Sequence, residues 1–169
     1  MKVRRTIPPL LIAFLLTTAS MPPSSSAIAP EQGASARGEG EFLYFTRFPN
    51  QLFHFSFDVQ ANKHGNTHGR AEFDNLTANT QVIVKVDCLR VDSGEALMTG
   101  NVLDSNDPEF PKHANVVFSA IDGQLFPPFL PDAITPLFVN PPFENCHDGA
   151  SPLTIFNVGD SIQIDPGLS

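Results

Sequence analysis

Over residues 51–60 the chain reads Gln-Leu-Phe-His-Phe-Ser-Phe-Asp-Val-Gln, with an apolar side chain at every second position. Phe53, Phe55, Phe57 and Val59 fall on one face, and Leu52, His54, Ser56 and Asp58 on the other. Side chains of a strand alternate between its two faces, so this period of two specifies a half-buried β-strand and is incompatible with a helix. Gln81–Val91 repeats the pattern. Val82, Val84, Val86 and Cys88 share a face opposite Ile83, Lys85, Asp87, Leu89 and Val91, which predicts that Cys88 points into the core.

Shorter runs predict further strands over Glu41–Phe48, Arg70–Asn75, Ala96–Leu103, Asn115–Ile121, Leu153–Val158 and Ser161–Asp165. No helical period of useful length appears beyond the first segment. Several connections are tight: Pro49-Asn50, Asp92-Ser93-Gly94-Glu95 and Gly159-Asp160. Connections this short force antiparallel neighbours, because a parallel crossover needs a dozen or more residues. The expected fold is all-β, an antiparallel meander of about eight strands forming a small closed or partly open barrel, since closure removes exposed edges.

Residues 122–152 interrupt the meander. They contain seven prolines and no evident strand. Proline cannot donate to a sheet ladder, so a central strand is excluded here. Yet Phe126, Phe129, Leu130, Phe138 and Phe143 make the stretch too apolar for a free loop. It is expected to pack on the domain surface or over a barrel mouth. Phe126, Phe129, Phe138 and Phe143 are therefore the candidate binding residues.

The N-terminus reads as a signal peptide over residues 1–27. Lys2, Arg4 and Arg5 form a basic region and Leu10–Leu16 an apolar run. That run is far shorter than the ~20 residues a membrane span needs. Ser25 and Ala27 place small side chains ahead of a cleavage site after Ala27; cleavage after Ala29 would leave Pro30 as the next residue. Residues 28–40, small and polar, read as a flexible leader to a single β-domain over 41–169. The mature chain is expected to be secreted, extracellular or periplasmic, with no membrane span.

Two cysteines remain, Cys88 and Cys146. In an exported protein an even count argues for one disulfide between them, with two buried thiols as the alternative. Neither has a Cys or His partner at zinc-ligand spacing, so no metal and no cofactor are expected. The chain carries 10 basic and 18 acidic residues; without Lys2, Arg4 and Arg5, 7 basic residues face the same 18 acidic ones. So acidic a surface repels phosphate backbones, which excludes nucleic acid as a partner.

Three stretches together carry a resemblance. The first is Phe53–Gln60, the glycine turn Lys63–Gly69 and Ala71-Glu72-Phe73. The second is Val86–Val91 with Ser93–Ala96 and Thr99–Val102. The third is Gly159-Asp160-Ser161-Ile162. The chain resembles a group of small exported bacterial β-proteins of unknown function, which share a Phe-rich strand, a V-x-C-L strand and a closing G-D strand. The resemblance implies an exported β-domain and supplies no catalytic residues. The proline-rich segment looks like an insertion relative to that pattern.

Motifs that would carry catalysis read as turns. Gly159-Asp160-Ser161 echoes an esterase nucleophile, but such a serine needs a strand-to-helix turn, and the residues after Ser161 alternate like a strand. Asp92-Ser93-Gly94 lies between two predicted strands, where Asp and Gly make tight turns. No G-x-S-x-G elbow is present. His64 and His68 would align two metal ligands on a helix, but the intervening glycine and asparagine predict a hairpin loop. His54 is expected on the outward face of its strand and His113 in a loop. Asp104–Glu109 clusters carboxylates, with Pro108 where a calcium loop needs a ligand and no turn glycine. Asn75-Leu76-Thr77 is a glycosylation acceptor only in a eukaryotic source.

Three functions follow as expectations. The first is a secreted non-catalytic accessory or interaction module that uses the Pro/Phe segment as its contact surface. The second is a barrel that binds a small apolar ligand. The third, a hydrolase or isomerase-like barrel, lacks any catalytic residue that the sequence can name.

Overall fold

The computed structural model describes residues 32–45, 50–125, 130–143, 145–149, 155–159 and 161–167. Their strands form one antiparallel sheet curled into a half-barrel. The strands are β1 (Gln32–Tyr44), β2 (Gln51–Asn62), β3 (Thr67–Asn75), β4 (Thr80–Asp92), β5 (Glu95–Ser105), β6 (Asn115–Ile121), β7 (Asp132–Ile134), β8 (Phe138–Val139), β9 (Phe156–Gly159) and β10 (Ile162–Asp165). The sheet order is β10-β1-β2-β3-β4-β5-β6-β7-β9, and β8 pairs with β6 beside β7. The all-β meander expected from the alternating runs is thus present. Signal segment 1–27 lies outside the described residues.

The leader expectation does not hold over residues 32–40, which form the first part of β1. The glycines that suggest flexibility make room for rings. A Cβ on Gly38 would lie 2.9 Å from the Phe57 ring and from Ile162 Cγ1, and one on Gly40 would lie 3.1 Å from the Phe55 ring. Glycine inside a strand often marks such a close approach. The Phe side chains of β2 lean across β1, and its small residues are packing space.

Phe55, Phe57, Val59, Val84, Val86, Met98, Val102 and Phe118 fill the concave side. The rings interlock: Phe57 and Phe73 both meet Phe118 edge-on, at 6.0 and 5.2 Å between centroids. Burying a Phe fully is worth about 1.5–3 kcal/mol, so this cluster dominates the stability of the curl.

Cys88 does not join that core. Val86 pairs with Gly100 and Cys88 with Thr99, so Asp87 is an extra residue in β4, a β-bulge. The bulge reverses the alternation beyond Val86. Leu89 turns inward, and Cys88 packs on the convex face with Leu97, Val117 and Cys146. Asn101 Nδ2 donates to Asp87 Oδ2 at 2.9 Å and holds the extra residue.

Cys88 and Cys146 are bonded, with a sequence separation of 58 and their Cα atoms 5.8 Å apart. Phe138 and Phe143 pack on this second cluster. The described part of the Pro/Phe segment therefore lies down on the sheet. It also contains two short strands that the proline content did not suggest. β7 sits between Pro131 and Pro136 and pairs with Ala120 and Ile121, and β8 pairs with Val116 and Val117.

The two ends of the sheet meet along residues 156–165. The first half of this run, β9, pairs with β7, and the second half, β10, pairs with β1. Gly159 takes φ +79° at the switch between them. Where β10 lacks a strand on its other side, two buried carboxylates replace one. Asp132 Oδ2 accepts from Ile162 N at 2.5 Å, and Asp122 Oδ2 from Ile164 N at 3.4 Å.

Candidate functional site

Alternating direction brings three connections to one end of the curl: those after β1, after β3 and after β5. Side chains that face inward near this end find no further layer of core above them. They line a half-enclosed cavity of about 550 Å³.

Its walls are aromatic. Phe42 stacks on Phe53 at 5.2 Å and on Phe156 at 5.1 Å. Tyr44 meets Phe156 and Phe53 edge-on, at 5.2 and 6.2 Å. Phe73 and Phe110 face them from β3 and from the connection after β5, and Leu137, Phe138 and Val139 complete the wall. Volumes of about 300–1,000 Å³ with apolar walls and a few polar groups are typical of small-molecule sites.

The polar rim is held by its own hydrogen bonds. Asn75 Nδ2 donates to Gln51 Oε1 at 3.2 Å, while Asn75 Oδ1 accepts from the backbone N–H groups of Thr77 and Ala78 at 3.1 and 3.0 Å. This closes the turn after β3 as an Asx-turn. It also buries Asn75, 5% exposed, so the folded domain does not present its amide as a glycan acceptor. Thr80 Oγ1 donates to Asp107 Oδ2 at 3.0 Å, and Glu109 N donates to Asp107 Oδ1 at 2.9 Å. The acidic loop Asp104–Glu109 thereby ties β4 to β5. Asn106 Oδ1 adds a bond from Gln81 N at 2.6 Å.

The sequence candidates divide. Phe138 lines the cavity and also packs against the disulfide cluster. Phe143 belongs to the disulfide cluster and not to the cavity. Phe126 and Phe129 lie outside the described residues. The aromatic wall of Phe42, Tyr44, Phe53, Phe73 and Phe110 was not singled out from sequence, although a signal existed. Four of these five are in-facing aromatics within two or three residues of a strand end, where a closed core runs out of partners.

No catalytic constellation forms among the described residues. Ser161 Oγ is buried with no hydrogen-bond partner, and the groove it touches is lined by Arg37, Asp58, Arg70 and Glu72 with no histidine. Ser93 takes φ +50° in its turn and donates its hydroxyl to Asp92. His54 sits on the convex face, 3.5 Å from Glu39 and 3.6 Å from Asp74. His64 lies in the hairpin turn between β2 and β3 and His68 on β3, and both are exposed. The group of metal-type donors found among the described residues is Cys88, Cys146 and His147, and its sulfurs are consumed by the disulfide. No helix among them is long and apolar enough to cross a membrane.

Comparisons of the chain with protein-family models, with curated proteins and with solved structures find no match.

Proposed function

We propose that this chain is an exported, non-catalytic β-domain that receives a small, largely apolar molecule at the open end of its half-barrel. One observation carries the reading: Phe rings and aliphatic side chains fill the interior, yet an aromatic cavity of about 550 Å³ remains at one end. A rim built from its own side-chain hydrogen bonds needs no ligand to hold its shape, and such preorganisation favours binding. The disulfide suits an oxidising compartment, as the signal-like N-terminus does.

Thermal unfolding with a panel of lipophilic compounds tests the reading. A ligand at 100 times its Kd stabilises the native state by about 2.7 kcal/mol, which gives a clear upward shift in Tm. Phe53→Asp should remove the shift. The absence of a shift with any compound would sink the proposal.

An interaction module is the second reading, favoured by exposed apolar side chains at the same end. Leu43 pairs with Leu52 on the convex face, and Leu76 N bonds Leu52 O. Leu43, Phe45 and Leu76 are 37, 65 and 50% exposed. Leu43→Ser with Leu76→Ser should abolish partner capture and leave small-molecule binding intact if this face is the working surface.

A further inference from the structure

Apart from the mouth, we propose that Cys88, Cys146 and His147 form a latent metal site, closed while the disulfide is intact, which takes one zinc ion once the disulfide is reduced. The spacing of the cysteines in the sequence gives neither a zinc-type partner, but the fold brings an imidazole to both sulfurs. Sγ of Cys88, Sγ of Cys146 and a ring nitrogen of His147 all lie within 4.8 Å of one another. Tetrahedral zinc holds sulfur at about 2.3 Å and imidazole nitrogen at about 2.0 Å, so its donors stand about 3.5–3.8 Å apart. Side-chain shifts of about 1 Å reach that arrangement, and Cα atoms 5.8 Å apart leave the two cysteines room for them. Two thiolates and an imidazole are donors that zinc prefers, and they leave one of its four positions for water or a further donor.

Two features keep the donors together when the sulfurs part. Cys146 N donates to Cys88 Sγ at 3.1 Å, and such a bond is stronger to a thiolate than to a neutral sulfur. The turn that carries His147 is fixed by bonds other than the disulfide. Asn145 Oδ1 accepts from His147 N at 2.9 Å and from Asp148 N at 3.3 Å, and Arg90 Nη1 donates to Gly149 O at 2.7 Å. Arg90 lies on β4, two residues after Cys88, so it ties the turn to the strand that supplies the other sulfur.

An external dithiol supplies the two electrons and becomes a disulfide itself. Cys88 is 9% exposed and Cys146 0%, so its thiolate attacks Cys88 Sγ and Cys146 leaves as a thiolate. The second sulfur of the dithiol then displaces Cys88 from the mixed disulfide. Zinc binds the two protein thiolates, and the two protons of the dithiol pass to solvent.

The test is titration of the protein, reduced by a phosphine under argon, with Co²⁺ and then Zn²⁺. One equivalent of Co²⁺ should raise thiolate-to-cobalt charge-transfer bands in the near ultraviolet, and Zn²⁺ should remove them. The oxidised protein should show none. His147→Asn should weaken zinc binding by at least about tenfold, the cost of removing even a group that only orients a ligand. His113→Asn, at an exposed loop position, should leave it unchanged. If reduction unfolds the domain, zinc should restore its strand circular dichroism, because metal binding and folding are then coupled. Absence of the bands in the reduced protein, or a reduced chain that zinc leaves unfolded, overturns the proposal. So does a zinc affinity that His147→Asn does not change.

Discussion

The carboxylate of Asp132 accepts the backbone N–H of Ile162 at 2.5 Å, with no exposure to solvent on the aspartate. Its other oxygen accepts from Gly123 N at 2.9 Å. One side chain thus supplies Ile162 with the acceptor that a neighbouring strand would otherwise provide, and ties the turn at Gly123 to the place where the two ends of the sheet meet.

Asp132→Ala should accordingly cost about 2–4 kcal/mol, because it strands two buried N–H groups at ~1–3 kcal/mol each. Asp132→Asn should cost less, since its amide oxygen still accepts one bond while its NH₂ opposes the other donor. Urea unfolding of the two variants measures both. Equal stability of the alanine variant and wild type would remove the seam argument.

Loss of the disulfide should be felt in two places. Cross-linking residues separated by 58 in sequence is worth about 4 kcal/mol in the chain-entropy model. A Cys88→Ala, Cys146→Ala variant should fall in stability toward that amount, read from its denaturation midpoint. Because Phe138 touches both the disulfide cluster and the cavity, ligand-induced stabilisation should also weaken. In the native wild-type protein, alkylation under non-reducing conditions should label neither cysteine.

Two glycines should each be costly to replace, for different reasons. Gly38→Ala places a methyl 2.9 Å from the Phe57 ring and Ile162 Cγ1 and should destabilise by about 1–3 kcal/mol through overpacking. Gly65 has open space around it but takes φ +79°, so Gly65→Ala should cost about 1 kcal/mol from backbone strain alone. Gly65→Asn should recover most of that loss. Thermal melts rank the three.

Phe118→Ala should cost about 3–5 kcal/mol, the range for emptying a buried aromatic site. Phe118 is fully buried where the rings of Phe57 and Phe73 converge. Phe118→Leu should be considerably milder. A cost below 1 kcal/mol for the alanine variant would show that the interior is not tightly filled.

Much of this architecture was legible wherever a period of two ran unbroken, as in Phe53–Val59. It failed where the cause was non-local. The glycines of β1 look flexible until the rings of β2 are laid over them. The bulge at Asp87 inverts the side chains beyond it, and no local residue type marks that place; only the partner strand shows it. The cysteine pairing was legible because the count left one choice. The candidate site was half legible. Phe138 was named for its apolar context among prolines, whereas Phe42, Tyr44 and Phe53 were read as ordinary strand positions. What distinguishes them is their height along the barrel, and that is set by how the strands are staggered.

The seam also sets the order of events in folding. Arg37 on β1 meets Gln163 on β10 across a sequence separation of 126, while the hairpins from β2 to β6 join near neighbours. Distant pairings are slow to form, and sheets dominated by them take roughly milliseconds to seconds. The meander should therefore assemble first and wait, with two bare edges, for its last strand to arrive. During that interval self-association competes with completion, so refolding yield should fall as protein concentration rises.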